Sequence, residues 1–487
     1  MKYIVFGAGK LGMEALKYYG EDKVVAFCDN DICKHGTEYC GKPVVSFFEM
    51  LSMLNDNTIV VASRYQREMV DQLAEHNVKN YDIYIPRLTE RLETVDREAI
   101  FYKKNAAICG VDDNSQHLVY WLFGKGVSRL FISDKNKENI GKKIGEMEVV
   151  DFCDIIDKVD VVVVGAERRS YAIQAFLNRY NNVGFQIINP YIRESYYLHD
   201  RLLVDEFNGK GTKTEEEWDE KTRRIIGYQN LDEYVETLIS DLPLFDHVEV
   251  ETINKCNGRC SFCPVSAGND TRKREEMSEE LFKKIVDELH ELDYTGKFAT
   301  FSNNEPFLDN RIVEFNKYAR EMLPKARIHL FTNGTLLTVE RVLEILPYLD
   351  ELVIDNYTND GSLIKSVKKI YDYGTDHSEL SDKLTIVIRR ENEILTTRGG
   401  NSPNRGNGVS YPDEKCVLPF KQMIIRPSGK VSLCCNDPYG EMTLGDVNSN
   451  TLVDIWYGKP FNVVRDQLLN GRKMIDHCKH CDTFIYY

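Results

Sequence analysis

Thirteen cysteines in a chain of 487 residues divide into two populations. Cys28, Cys33, Cys40, Cys109 and Cys153 are scattered through the first third, where isolated cysteines read as small buried hydrophobes. The other eight form two groups, Cys256/Cys260/Cys263 and Cys416/Cys434/Cys435/Cys478/Cys481. Thiols grouped this way in a reducing compartment are ligands of a metal or an iron–sulfur cluster. The first group is a CxxxCxxC triplet, Cys256-Asn-Gly-Arg-Cys260-Ser-Phe-Cys263, directly after a predicted strand at His247–Ile253. Three thiolates on one loop supply three of the four iron ligands of a cluster and leave one iron open, as substrate-binding chemistry requires. A structural zinc loop would want a fourth Cys or His close by, and the next histidine is His290.

Two elements follow the triplet in order. Asn303-Asn304-Glu305-Pro306 comes after a strand predicted at Phe298–Ser302, and Thr332-Asn333-Gly334 after one at Ile328–Phe331. Singly each reads as a turn. Together, each at the C-terminal end of a strand where barrel enzymes place their chemistry, they resemble the radical S-adenosylmethionine (SAM) superfamily. The aromatic Phe262 before the last cysteine adds to the resemblance. The family's Gly-Gly-Glu-Pro element holds the amino group of SAM's methionine part. Here asparagines replace both glycines, while Glu305 and Pro306 match.

The resemblance implies a [4Fe–4S] cluster on Cys256, Cys260 and Cys263. It also implies SAM contacts at Phe262, Asn304, Glu305, Pro306, Thr332 and Asn333. The chemistry implied is one-electron cleavage of SAM to a 5′-deoxyadenosyl radical, which takes a hydrogen atom from substrate.

In the second group, Gly429–Cys434 reads as a hairpin, and Cys478-Lys-His-Cys481 lies beyond a helix predicted at Phe461–Leu469. With Leu444-Gly-Asp446, Asp454-Ile-Trp456 and Arg465, this stretch resembles the SPASM/Twitch extension of radical SAM proteins. A full SPASM domain would carry more cysteines after Cys481, so the resemblance favours the shorter Twitch form. It implies one auxiliary [4Fe–4S] cluster on Cys416, Cys434, Cys478 and Cys481. Four thiolates suit zinc equally, and zinc stays the alternative. Cys435 has three readings: a replacement ligand for Cys434, an apolar packing residue, or a hydrogen-atom donor to a substrate radical.

The elements that position these residues alternate strand and helix, the pattern of parallel βαβ units. Strands are predicted at Phe298–Ser302, Ile328–Phe331, Glu351–Asp355 and Leu384–Ile388, with helices between several of them. Before them lies an internal duplication. Strand Tyr3–Phe6, turn Gly7-Ala-Gly-Lys-Leu-Gly12, helix, and strand Val24–Phe27 ending at Asp29 return about 103 residues later. The second copy is strand Ala106–Cys109, turn Gly110-Val-Asp-Asp-Asn, helix, and strand Arg129–Ile132 ending at Asp134.

The expected fold is α/β: two tandem Rossmann-like domains (1–104 and 105–205), a linker and helical stretch (206–245), a partial radical SAM (β/α)6 barrel (246–400) and a small C-terminal Twitch-type cluster domain (401–487). In the first copy Gly7, Gly9, Gly12 and Asp29 meet the dinucleotide fingerprint, with the helix N-terminus facing a pyrophosphate and Asp29 a ribose. The second copy has lost the glycines, and Asp112 and Asp113 would repel phosphate. Gly-Ala-Gly followed by Cys-Asp-Asn-Asp also resembles domains of surface-polysaccharide biosynthesis proteins.

A formal charge of −15, from 62 basic and 77 acidic residues, disfavours nucleic acid or an anionic membrane as partner. No apolar run is long enough to span a membrane, and Met1–Gly12 reads as strand and turn rather than signal peptide, so the expectation is a cytoplasmic protein. The leading functional expectation is hydrogen abstraction from a polyol or sugar, nucleotide-activated, in surface-glycan or secondary-metabolite biosynthesis. Dehydrogenation and dehydration or deoxygenation both stay open. The reaction needs an electron donor such as flavodoxin or ferredoxin. Arg398, in Thr397-Arg-Gly-Gly-Asn401, is a candidate contact for a SAM or substrate carboxylate or phosphate. The alternatives are a peptide- or protein-modifying maturase, and an N-terminal half that senses nucleotide apart from the chemistry.

Overall fold

Runs such as Val161–Val164, buried at every position, are what a parallel sheet covered on both faces by helices demands. Three such sheets carry the chain. The computed structural model describes residues 2–484 except 55–56, 64, 79–80, 86–87, 90–91, 93–99, 113–114, 181–182, 193–200, 206, 208–211, 229 and 406–410. Asp113 of the second turn lies outside the described residues. The chain divides into two units, Met1–Arg193 and Glu194–Tyr487.

The first unit holds the duplication. Strands β1 (Lys2–Phe6), β2 (Val24–Cys28), β3 (Glu38–Tyr39), β4 (Lys42–Val45), β5 (Asn57–Val61) and β6 (Tyr81–Ile83) form a sheet in the order β3-β4-β2-β1-β5-β6. Strands β7 (Asn105–Cys109), β8 (Arg129–Asp134), β9 (Lys143–Ile144), β10 (Met147–Asp151), β11 (Val161–Val164) and β12 (Gln186–Ile188) repeat it as β9-β10-β8-β7-β11-β12. In each sheet only the small β3/β4 and β9/β10 hairpins are antiparallel.

The two copies are not separate bodies. One hydrophobic core takes Phe6, Ile59 and Ile83 from the first and Leu118, Trp121 and Ile132 from the second. Helix α1 (Lys10–Tyr19) is amphipathic and buries Ala15, Leu16 and Tyr19 against its own sheet. Its counterpart α2 (Ser115–Gly124) is apolar nearly all round, because it packs on β6 of the first copy as well as on its own strands. A side chain at Gly124 would stand 3.2 Å from the Tyr81 carbonyl.

The second unit is built on an open sheet in the order β13-β18-β17-β16-β15-β14-β19-β20-β21. Its strands are β13 (Leu203–Asp205), β14 (His247–Val250), β15 (Lys297–Ala299), β16 (Arg327–Thr332), β17 (Glu351–Tyr357), β18 (Leu384–Arg389), β19 (Gln422–Ile425), β20 (Lys430–Ser432) and β21 (Thr443–Asp446). Every pair from β13 to β19 is parallel, and the β19/β20/β21 meander is antiparallel.

One expectation changes here. Only five parallel strands come from 246–400; two more lie outside it, β19 beside β14 and β13 beside β18, and β13 joins this sheet instead of closing the second. The stretch expected as linker and helix contains helix α3 (Glu215–Tyr228), whose Trp218 donates its indole N–H to Asp482 at 2.9 Å. A three-residue edge strand such as β13 is too short to show a period of two in sequence.

Candidate active site

The C-terminal ends of β14 to β17 open on one cavity of about 190 Å³, lined by all three cysteines of the first group. The chain after β14 runs irregularly, so the backbone from Cys256 to Cys263 is fastened by its neighbours. Gly258 donates its N–H to Cys256 Sγ at 3.3 Å, and Ser261 donates N–H and hydroxyl to the Glu391 carbonyl. Ser402 donates its hydroxyl to the Phe262 carbonyl at 2.8 Å. Cys260 is buried, while Cys256 and Cys263 are half-buried. Burial pushes the Cys256 thiol up to about 12, so the neutral thiol is favoured until a metal takes the proton's place.

Glu305 is the hub of the opposite wall. Its carboxylate accepts from the Thr332 hydroxyl at 2.7 Å, the Asn333 N–H at 2.8 Å and the Phe307 N–H at 3.1 Å. It thus pins the Asn303–Pro306 loop to the Thr332–Gly334 loop. Burial raises it to about 7 against those three donors. Gly334 adopts φ +71°, and a Cβ there would approach Ile354 and Val367 to 2.6 Å, so only glycine fits this turn.

The two asparagines that stand where the family has glycine leave polar atoms unspent. Asn304 Oδ1 accepts from Ser302 N–H, which fixes its amide orientation and leaves the buried Nδ2 without a partner in the cavity wall. Asn303 Oδ1 is likewise buried and unpartnered. Asn333 Nδ2 donates to Asn257 Oδ1 at 2.8 Å and so ties its turn to the cysteine loop.

Nine of the predicted residues share this cavity: the three cysteines, Phe262, Asn304, Glu305, Thr332, Asn333 and Arg398. Pro306 does not; it opens the buried turn Pro306–Leu308 and shapes the loop instead. The sequence reading missed Phe301, Phe331 and Tyr357, which also line the cavity. The rings of Phe301 and Phe331 stack at 5.3 Å. Their only signal was an aromatic residue at the C-terminal end of successive strands.

Arg398 joins the same cavity with φ +52°, a left-handed backbone that costs a non-glycine residue about 1–2 kcal/mol. Its guanidinium donates to the Cys435 carbonyl at 3.2 Å, and Asn303 Nδ2 reaches the same oxygen at 3.1 Å. The backbone carbonyl of Cys435 therefore touches two cavity residues. Glu249 on β14, raised to about 7 by burial, accepts from the Ser302 hydroxyl at 2.6 Å and feels the Arg398 charge.

Cys416, Cys434, Cys478 and Cys481 gather in a second, closed site, none of them more than 9% exposed. The meander presents Cys434, and the turn Cys478–His480 presents Cys478 and Cys481. Each of the other three thiols adds to the electrostatic load that, behind burial, pushes Cys434 upward. Among the described residues no three His, Cys, Asp or Glu converge as the ligands of a single metal ion would.

The fully buried Arg472 stands beside these thiols and donates to the Cys481 carbonyl at 2.6 Å and to that of Thr483. Arg465 and Trp456 prove to be interior supports: the guanidinium stacks 4.1 Å over the indole and donates to the Trp456 carbonyl.

In the first unit, Gly7 and Gly12 are demanded by packing, since a Cβ would stand 2.5 Å from the Ala62 oxygen or 1.9 Å from that of Gly7. Gly9 has open space around it and precedes α1 without a side-chain cap. Asp29 is engaged within the chain: it accepts from Ala8 N–H at 2.9 Å and pairs with Lys34 at 2.9 Å. Asp134 repeats the latch, accepting from Val111 N–H at 3.0 Å and from both ends of the Arg169 fork at 2.9 Å.

Residues 250–358 match the model of the radical SAM superfamily, and residues 416–482 match that of the SPASM iron–sulfur cluster-binding domain. The chain is 28% identical over 245 residues to the S-adenosyl-L-methionine-dependent 2-deoxy-scyllo-inosamine dehydrogenase of Niallia circulans. That match covers 94% of the dehydrogenase and 49% of this chain. Among solved structures, BtrN in complex with AdoMet and 2-DOIA is similar at 26% identity and a TM-score of 0.43, covering 50% of this chain and 94% of BtrN. Native anSMEcpe with bound AdoMet is similar at 15% identity and a TM-score of 0.31, covering 49% of this chain and 89% of anSMEcpe. The two matching domains indicate SAM and iron–sulfur clusters as cofactors. Among the described residues no helix is long and apolar enough to cross a membrane.

Proposed function

This chain is a radical SAM enzyme, and we propose that it dehydrogenates a polyol or amino-polyol, working from a SAM site at Cys256, Cys260 and Cys263 beside a one-cluster, Twitch-type auxiliary site. SAM and its cluster, when bound, supply a 5′-deoxyadenosyl radical that removes hydrogen from a carbinol carbon. The chain's own residues bind, orient and shield.

The unpartnered Asn304 Nδ2 suits SAM's carboxylate, and the unpartnered Asn303 Oδ1 suits its ammonium group. Glu305 keeps the two loops in register, and Phe301 and Phe331 exclude water from the wall they share. Cys416, Cys434, Cys478 and Cys481 are assigned to the auxiliary [4Fe–4S] cluster, since all four are buried together within the stretch that matches an iron–sulfur cluster-binding domain.

The observation that carries the reading is Arg398, which lines the SAM cavity and bonds the carbonyl next to ligand Cys434. A hydroxyl-bearing substrate held by that guanidinium lies between the two thiol sites. The relative whose length this chain covers almost completely is a dehydrogenase of 2-deoxy-scyllo-inosamine. We assign nucleotide binding, as a separate property, to the first of the two Rossmann-like repeats, at the open Gly9 and the uncapped start of α1.

The test is an anaerobic assay with SAM and carbinol-deuterated polyols, free and nucleotide-linked. Deuterium should appear in 5′-deoxyadenosine together with a ketone product. Arg398→Met should cut ketone formation about 100-fold and leave uncoupled SAM cleavage nearly unchanged. If no polyol transfers deuterium and a peptide substrate does, the maturase reading replaces this one.

A further inference from the structure

The auxiliary site contains a charge that no carboxylate among the described residues answers with an ion pair. Arg472 is 1% exposed, and its contacts include carbonyls, a ring and the Cys416 thiol. Nη1 donates to the Cys481 carbonyl at 2.6 Å, Nη2 to that of Thr483, and the guanidinium lies 3.8 Å over the Phe484 ring. The Nε–H has no acceptor. Among the described residues no carboxylate forms an ion pair with it; the groups that act on its charge are the sulfurs of Cys416, Cys478 and Cys481.

The Thr483 carbonyl that receives Nη2 also lies 3.9 Å from Cys416 Sγ and 3.8 Å from Cys481 Sγ, so guanidinium and thiols share one oxygen. A buried cation needs an anion. Neutral thiols do not provide one, whereas a cluster ligated by four thiolates does.

From this geometry we infer that Arg472 sets the reduction potential of the auxiliary cluster by pairing with its thiolate shell. The inference rests on the proposed cluster at Cys416, Cys434, Cys478 and Cys481. Reduction by one electron adds one negative charge beside a fixed buried cation, and in a dry site that charge is stabilised far more than in water. Arg472 therefore holds the potential up and favours the reduced form. It is a positioning residue for charge and touches neither SAM nor substrate. Arg465 serves as the internal contrast: it is also buried, yet it stacks on Trp456 and bonds the carbonyls of Trp456 and Pro419, away from any thiol.

The experiment uses the full chain in the Cys256/Cys260/Cys263→Ala background, reconstituted anaerobically, so that only auxiliary iron remains. Iron is counted first, and the cluster is then titrated with dithionite and redox mediators while its EPR signal is followed. R472Q should lower the midpoint by at least 59 mV, a tenfold change in the reduced-to-oxidised ratio for one electron. R472K, which keeps the charge but loses the fork, should stay within about threefold of the parent ratio, and R465K should leave it unmoved.

Equal midpoints for R472Q and the parent overturn the inference while the cluster stands. A lysine variant shifted as far as R472Q overturns it too, because packing rather than charge would then set the potential. If R472Q fails to load four irons, R472M, which also removes the charge, takes its place in both comparisons. A parent chain with no auxiliary iron, or with zinc in its place, removes the cluster reading and this inference together.

Discussion

The two thiol sites of this chain are built in opposite ways. Cys256, Cys260 and Cys263 share one loop at the open end of a parallel sheet, and two of the three stay half-buried beside a cavity. Cys416, Cys434, Cys478 and Cys481 come from well-separated stretches, and all four are closed off. The first site has a wall of unspent amide groups; the second has a buried guanidinium. The difference teaches what each is for. A site that must admit a small molecule keeps surface open and polar atoms unpaired, while a site that only holds an inorganic group excludes water and supplies compensating charge.

The sharpest way to break this comparison is to remove the thiols of the first site. The Cys256/Cys260/Cys263→Ala variant should lose SAM cleavage by at least about 1,000-fold, and its iron should fall from about eight per chain to about four. Its melting temperature should drop little, since these thiols sit on a loop that Ser261, Ser402 and Asn333 hold independently. A fall from about four irons to none would show the C-terminal thiols to be without a cluster.

Cys434→Ala probes the other side. It should cost the C-terminal domain about 2–5 kcal/mol, because a fully buried ligand set links the meander to the chain's last turns. SAM cleavage without substrate should stay within about threefold of wild type, while ketone formation is lost. Denaturant unfolding beside a 5′-deoxyadenosine assay checks both halves. A variant that keeps wild-type stability and loses SAM cleavage would erase the distinction between the sites.

The smallest expected effect lies at the seam between them. Glu251 follows β14, donates its N–H to the Ile425 carbonyl of β19, and keeps Oε1 unpartnered. Burial lifts its carboxyl to about 8, although Arg272 lies 3.8 Å away. The folded chain thus holds a proton that the unfolded chain releases near pH 4.5. The stability this proton contributes is complete below that pH and is lost as pH rises toward 8. Glu251→Gln should therefore gain on the order of 2 kcal/mol relative to wild type between pH 5 and pH 8. Urea unfolding at the two pH values measures it, and a gain that does not grow with pH would show Glu251 to be ionised in the fold.

Much of the first site is legible in the chain itself. CxxxCxxC, Asn303–Pro306 and Thr332–Gly334 are short, and each follows a strand whose residues announce it. Parallel strands then bring their C-terminal ends together without further instruction. The duplication is legible for the same reason, and the two sheets repeat one strand order. Gly7, at the end of β1, and Gly12, inside α1, stand where the close approach of the Ala62 and Gly7 carbonyls admits no Cβ.

What the sequence by itself determined is therefore local: which loops carry thiols, which turns need glycine, and which runs alternate as strand and helix. The tertiary structure alone decided the rest. It took a further parallel strand from Leu203–Asp205, merged the two repeats around α2, engaged Asp29 with Ala8 and Lys34, and spent Glu305 on Thr332 and Asn333. It also left Arg472 facing thiols. The physical reason is common to all five. A period or a motif is written within a few residues, whereas the partner of a sheet edge, a carboxylate or a buried charge is chosen by free energy between segments that are remote in sequence.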